Sequence, residues 1–188
     1  FSPVWVGPSS AAASLLEDPV LTRRRWMILV LLFLSTVINY VDRQALSVLM
    51  PSLRAELSLS SANYGAITTA FMLAYTVSQL LSGALIDRVG TRIGFALAMT
   101  AWSAAAMGHA LAGSALALLG LRVALGIGEA GAWPAGAKAV AEWFPAQRRA
   151  FAMGVFDGGS AVGAIVAPPI VAALAIAWGW RAAFLLTG

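Results

Sequence analysis

The sequence predicts an all-α membrane protein, and three observations predict it. Hydrophobic residues fill 60% of the 188 positions and charged residues only 11%, against roughly 25% charged in an average soluble domain. The apolar residues fall in runs of about 20, the length a helix needs to cross the hydrocarbon of a bilayer. Lys and Arg gather between those runs and favour one side of the membrane if every run crosses it.

Taken in order, residues 1–22 are rich in Ser, Pro and Ala without a sustained period and are expected to form a mobile cytoplasmic tail. Five spans follow at about 26–50, 63–86, 93–111, 115–140 and 149–177, and a sixth begins at 180–188 without enough residues to cross. That short sixth span, and a first residue other than Met, lead to the expectation of a fragment: an N-terminal bundle, residues 23–188, truncated within its sixth helix. A secretory signal from Arg23 onward is excluded, because the apolar run exceeds the core of such signals, about 7 to 15 residues.

Orientation follows from the short loops. Arg23, Arg24, Arg25, Arg88, Arg92, Lys138, Arg148 and Arg149 lie on one side, against Arg54 and Arg181 on the other, so the N-terminus is expected in the cytoplasm. Trp26, Trp143, Trp178 and Trp180 fall near span ends and read as interfacial anchors. The net charge of +4 is dispersed between apolar runs and forms no stripe, which argues against nucleic acid as a partner. With no cysteine there is no disulfide or thiolate metal site.

Five charged residues stand inside the apolar spans: Asp42, Arg43, Arg122, Glu129 and, less deeply, Asp157. Each costs a few kcal/mol or more against lipid, so they are expected to face a bundle interior or a wet cavity, paired with opposite charge. From the helical rise, Asp42 lies roughly 12 Å and Arg122 roughly 10 Å below the outer surface, so the two can meet. Glu129 follows Arg122 by about two turns on the same face and comes out near the midplane, as do Tyr75 and Ser160. An Arg122–Asp42 staple without a ligand would explain that pair alone. A second Arg beside the Asp, and a separate acid farther down, are harder to explain as a staple, since excess buried charge destabilises. Asp157 either faces the cavity or snorkels to the cytoplasmic surface.

The segment GALIDRVGTR carries Gly83, Asp87, Arg88, Gly90 and Arg92 between the second and third spans. Its glycines permit a tight turn and close helix approach, Asp87 can accept from a neighbouring helix, and the arginines hold the turn at the cytoplasmic face. The segment RVALGIGEAG, from Arg122, contains glycines in the dinucleotide-binding spacing, but inside a membrane span these read as helix-packing residues. The glycines of the fifth span, Gly154, Gly158, Gly159 and Gly163, read likewise, with Pro168 and Pro169 bending the helix farther on. His109 reads as a surface residue at an outer span end. No metal-ligand cluster, nucleophile elbow or phosphate loop is present in the sequence, so neither a catalytic nor a metal site is expected.

GALIDRVGTR and RVALGIGEAG resemble the signature loop and fourth-helix pattern of the major facilitator superfamily. Read with NYVDRQALSV, FMLAYTVSQLLSGALIDRVGTR and GGSAVGAIVAPPI, the chain from about Trp26 to Gly188 resembles the sugar-acid branch of the anion:cation symporter family, the hexuronate, aldarate and galactonate transporters. The resemblance implies the N-terminal six-helix bundle of a transporter in the bacterial inner membrane, monomeric when complete and needing a second bundle of the same polypeptide. It implies that Arg43 binds a substrate carboxylate and that Tyr75 hydrogen-bonds it. Asp42 and Glu129 would carry protons, and Arg122 would pair with Asp42. Ser160 stands where the family often has Gln, and Asp157 where it often has Asn or Thr; both would contact substrate.

Charge arithmetic supports coupling apart from the family. Two arginines and three acids leave the site at −1, and a monocarboxylate makes it −2, a state that protons on Asp42 and Glu129 would neutralise. The expected function is therefore uptake of an organic anion, a sugar acid such as a hexuronate or aldonate, by proton symport. No cofactor is expected beyond the coupling proton. An exporter or uniporter of another small organic anion is the alternative within transport. A non-transporting sensor, or a membrane-embedded enzyme using the Asp42 and Glu129 carboxylates, ranks lower.

Overall fold

The computed structural model describes residues 19–188. Among them lie α1 (Pro19–Leu57), α2 (Ser61–Val89), α3 (Thr91–Gly108), α4 (Ala115–Glu129), α5 (Ala132–Trp143) and α6 (Ala146–Thr187), with a 3-10 turn (His109–Leu111) before α4 and no strand. Residues 1–18 of the expected tail lie outside the described residues. Residues 19–22, also assigned to the tail, instead open α1, where the fixed φ of Pro19 suits the first helical position and its missing N–H costs nothing.

The polarity of a soluble bundle is inverted. Leu80, Leu111, Ile165 and Ile176 are among the large apolar residues on the outside, whereas Ser35, Asn39, Asp42, Ser82, His109, Arg122 and Glu129 are buried. A surface of that kind is stable only against hydrocarbon. Four stretches are long and apolar enough to cross a membrane: Val20–Leu57, Ser61–Val89, Ala115–Trp143 and Ala146–Thr187. The 18 residues of α3 rise about 27 Å, close to the hydrocarbon thickness, with Arg92 in the first turn.

Local chemistry sets the joints. Ser60 and Asn63 form a reciprocal cap at the start of α2, and the Ser114 hydroxyl accepts the Ala117 N–H at the start of α4. Gly90, with φ +84°, alone joins α2 to α3, a left-handed conformation that a residue with a Cβ adopts only under strain. Gly179 has the same φ and divides α6, setting the segment from Trp180 to Thr187 at an angle to the long helix before it.

The expected fourth span is two helices. The chain turns at Ala130–Gly131, and Pro134 in the first turn of α5 has no N–H to give the Ala130 carbonyl. The Ser82 hydroxyl of α2 bonds that carbonyl at 3.1 Å while also reaching its own helix at Gln79, 2.9 Å away. A neighbouring side chain thus satisfies the backbone group that proline leaves bare inside the bilayer.

The most extensive packing runs between α1 and α6, then between α4 and its neighbours α2 and α3. Glycines make these approaches possible. A Cβ on Gly163 would stand 2.6 Å from that of Tyr40, one on Gly126 2.7 Å from the Phe71 carbonyl, and one on Gly128 2.7 Å from the Trp102 backbone nitrogen. Gly83, Gly154 and Gly158, expected to serve close approach too, have nothing within 4 Å of such a Cβ. Their helical faces point away from the rest of the bundle.

Two residues expected at the surface are buried by the segment after Gly179. It folds over the 3-10 turn, so His109 is fully buried, its ring stacked on Phe184 at 5.1 Å and its Nδ1 bonded to the Ala105 carbonyl at 2.7 Å. Trp180, expected as an interfacial anchor, is 6% exposed and donates Nε1 to Glu56 of α1 at 2.6 Å; Arg181 pairs with the other oxygen of the same carboxylate. Trp26, Trp143 and Trp178 remain exposed.

Candidate functional site

A cavity of about 110 Å³ opens between α1, α2, the α4–α5 joint and α6. Ser35, Thr36, Asn39, Tyr40 and Arg43 of α1 line it at spacings that keep them on one helical face. Tyr75, Trp102, Glu129, Ala132, Trp133, Phe156, Asp157 and Ser160 complete the wall.

Its centre is the ion pair of Arg43 Nε with Glu129 Oε2, at 2.7 Å, with side chains 25% and 0% exposed. Glu129 is thus paired with opposite charge as expected, and its partner is the arginine that the resemblance assigns to the substrate carboxylate. Glu129 Oε1 has no hydrogen-bond partner, and neither has the Asn39 Nδ2 group. The Arg43 guanidinium lies among aromatic faces, with Cζ 4.5 Å from the Tyr75 ring centroid, 5.4 Å from Phe71 and 5.6 Å from Tyr40. Stacking on rings fixes the plane of the fork while leaving its edge to bond.

The expected Arg122–Asp42 pair is not formed. Asp42 Oδ2 instead accepts the indole N–H of Trp102 on α3 at 2.9 Å, and its Oδ1 is unbonded. The physical reason is rotation: Asp42 and Arg43 are neighbours, about 100° apart on the helix, so when Arg43 faces the cavity and Glu129, Asp42 is turned toward α3. Arg122 is buried, with Cζ 5.8 Å from the Phe71 ring. Its Nε and Nη2 make no hydrogen bond. Two cations and two acids therefore share one interior with a single direct ion pair, leaving polar atoms open on three of the four.

Asp157 lines the cavity, one of the two positions left open from sequence, and its Oδ1 accepts the Trp133 indole N–H at 3.0 Å. The Ser160 hydroxyl also lines the cavity but donates back to the Asp157 carbonyl at 2.6 Å. Tyr75 accepts from Gln79 Nε2 at 3.3 Å.

The motif between α2 and α3 lies away from the cavity. Asp87 pairs with Lys138 of α5 at 2.6 Å, and Thr91 donates to Glu142 of α5 at 2.7 Å. Arg88 and Arg92 are exposed and make no ion pair among the described residues. Arg149 closes the next turn by donating to the carbonyls of Phe144 and Ala141, at 3.0 and 2.8 Å.

Sequence reasoning missed Ser35, Thr36, Asn39, Tyr40, Trp102, Trp133 and Phe156. The polar stripe through Thr36, Asn39 and Arg43 was a readable signal. Trp102 and Trp133 were readable as tryptophans too far from span ends to serve as interfacial anchors.

The model of the Major Facilitator Superfamily matches residues 32–188. The chain belongs to that superfamily. It is 40% identical over 164 residues to the hexuronate transporter of Escherichia coli K12, covering 87% of this chain and 38% of the relative. It is 39% identical over 164 residues to the galacturonate transporter of Dickeya chrysanthemi, covering 87% of this chain and 48% of the relative. Among solved structures, a bacterial homologue of the human lysosomal transporter Spinster, inward-facing and unoccupied, superposes with a TM-score of 0.76 at 26% identity over 87% of this chain and 40% of that one. This major facilitator chain thus spans less than half the length of these relatives, and its helices match a transporter bundle embedded in a membrane.

Proposed function

We propose that this chain is the N-terminal bundle of a carrier that takes up a sugar acid, such as a hexuronate or an aldonate, together with protons. The observation that carries the reading is Arg43: a guanidinium fixed on three aromatic faces at the cavity wall, bonded through Nε to a buried glutamate. The Nη edge can take a substrate carboxylate in a bidentate bond. Tyr75, Asn39, Asp157 and Ser160 offer hydroxyl, amide and carboxylate groups to a polyhydroxylated body.

A carboxylate arriving on Arg43 weakens that residue's hold on Glu129. It places two anions on one cation in a site of low dielectric, and a proton on Glu129 relieves the excess charge. Asp42, beside Arg43 in the chain and bonded to Trp102, is the second proton-carrying acid. Arg122 lies behind both and balances whichever is ionised. Substrate and protons then favour the same closed state, reached by rocking against a second bundle of the same polypeptide. The Asp87, Arg88, Gly90 and Arg92 turn would steady the cytoplasmic end of that motion. The setting proposed is a bacterial inner membrane with the N-terminus in the cytoplasm, a monomer as the working unit, and no cofactor other than the proton.

The test is counterflow and gradient-driven uptake by the full-length protein in proteoliposomes. Arg43→Ala should abolish sugar-acid binding. Glu129→Gln should retain exchange and lose uptake driven by the proton gradient; full driven uptake by that variant would refute the coupling role.

A further inference from the structure

Three formal charges line the cavity, and they are unevenly placed. Arg43 and Glu129 face each other at 2.7 Å and cancel. Asp157, on the α6 wall, has no cation: among the described residues it makes no ion pair, and its single side-chain bond is to the neutral indole of Trp133. That bond occupies Oδ1 and leaves Oδ2 of this cavity-lining residue available as an acceptor. Trp133 also ties α5 to α6 through this bond, which fixes the carboxylate at the solvent-open side of the cavity.

A sugar acid with one carboxylate meets these charges favourably. Its carboxylate engages Arg43, and its hydroxyls, which are donors, reach Asp157. A sugar acid with a carboxylate at each end meets the same arginine at one end, but on this wall its second anion has only Asp157 to face. Like charges brought within about 4 Å repel by about 1 kcal/mol even where water screens them, and hydroxyl donors are lost at the same time. We propose that Asp157 is a specificity-determining residue that makes the carrier select sugar acids bearing one carboxylate over those bearing two. This rests on the sugar-acid reading above and adds to it the charge of the substrate.

Galacturonate, galactonate and galactarate share a hydroxyl pattern and differ in carboxylate number, so the experiment is competition among these three for counterflow by the full-length protein in proteoliposomes. The wild type should bind galacturonate or galactonate at least roughly tenfold more tightly than galactarate. Asp157→Asn, which keeps the shape and the acceptor toward Trp133, should shrink that ratio by about tenfold. Trp133→Phe removes the clamp but keeps the charge, so the ratio should persist even if overall uptake falls. A purely structural Asp157 would make the two variants behave alike. If the wild type prefers galactarate, or the ratio is the same in Asp157→Asn, the selectivity inference falls while the sugar-acid reading stands. If none of the three acids is bound, both fall.

Discussion

Trp102 on α3 donates its indole N–H to Asp42 on α1 at 2.9 Å, where the sequence had suggested an arginine. A neutral donor fixes the position of the acid without forming an ion pair with it. Trp102→Phe should therefore lower stability by about 2 kcal/mol, the worth of a buried bond to a charged group. In a thermal-melt double-mutant cycle with Asp42→Asn, the coupling should be about 1 kcal/mol or more; additive losses would show that the bond contributes nothing.

Arg43 works as a fork held by rings. Arg43→Lys keeps the charge but loses the planar edge and most of the stacking, so sugar-acid affinity should fall roughly tenfold or more while the protein still folds. Equilibrium binding to the purified full-length variant reads this directly, and unchanged affinity would place the carboxylate elsewhere.

The Ser82 hydroxyl caps the Ala130 carbonyl that Pro134 leaves without a donor. Ser82→Ala should cost about 1 to 3 kcal/mol, because a carbonyl is then stranded at the α4–α5 joint. Ser82→Ala combined with Pro134→Ala should recover part of the loss, since an alanine N–H restores the missing donor. Melting temperatures of the three variants in detergent test the rescue.

Glycine positions should divide by what surrounds them. At Gly128 a Cβ would lie 2.7 Å from the Trp102 backbone nitrogen, whereas at Gly158 nothing lies within 4 Å. Gly128→Ala should destabilise by about 1 to 3 kcal/mol through forced separation of α3 and α4. Gly158→Ala should be neutral or slightly stabilising, by up to about 1 kcal/mol. The same melting measurement separates them.

The fold class and the burial of Asp42, Arg122 and Glu129 were legible in the sequence because a charge inside an apolar run has few places to go. Their partners were not. Pairing depends on helix rotation, and a turn of about 100° between Asp42 and Arg43 sends one to Trp102 and the other to Glu129. Sequence reasoning matched charge with charge and gave no weight to an indole donor. His109 was misread for a different reason: what buries it is Phe184, on a segment whose direction is set by the φ of Gly179. The break at Ala130–Gly131 was hidden because the apolar run continues through it, and only Pro134 hinted at a bare carbonyl.

At the end of the bundle opposite the Gly90 turn, Glu56 takes both Trp180 and Arg181, residues separated from it by 124 and 125 positions along the chain. One carboxylate thereby rivets the tip of α1 to the short helix beyond Gly179, and Arg181 stacks on the Trp180 ring at 4.1 Å to brace the joint. That rim is pinned between the first and the last of the described helices. The opposite rim is held differently, by the single-residue Gly90 turn between α2 and α3 and by the Lys138–Asp87 contact that ties α5 to α2.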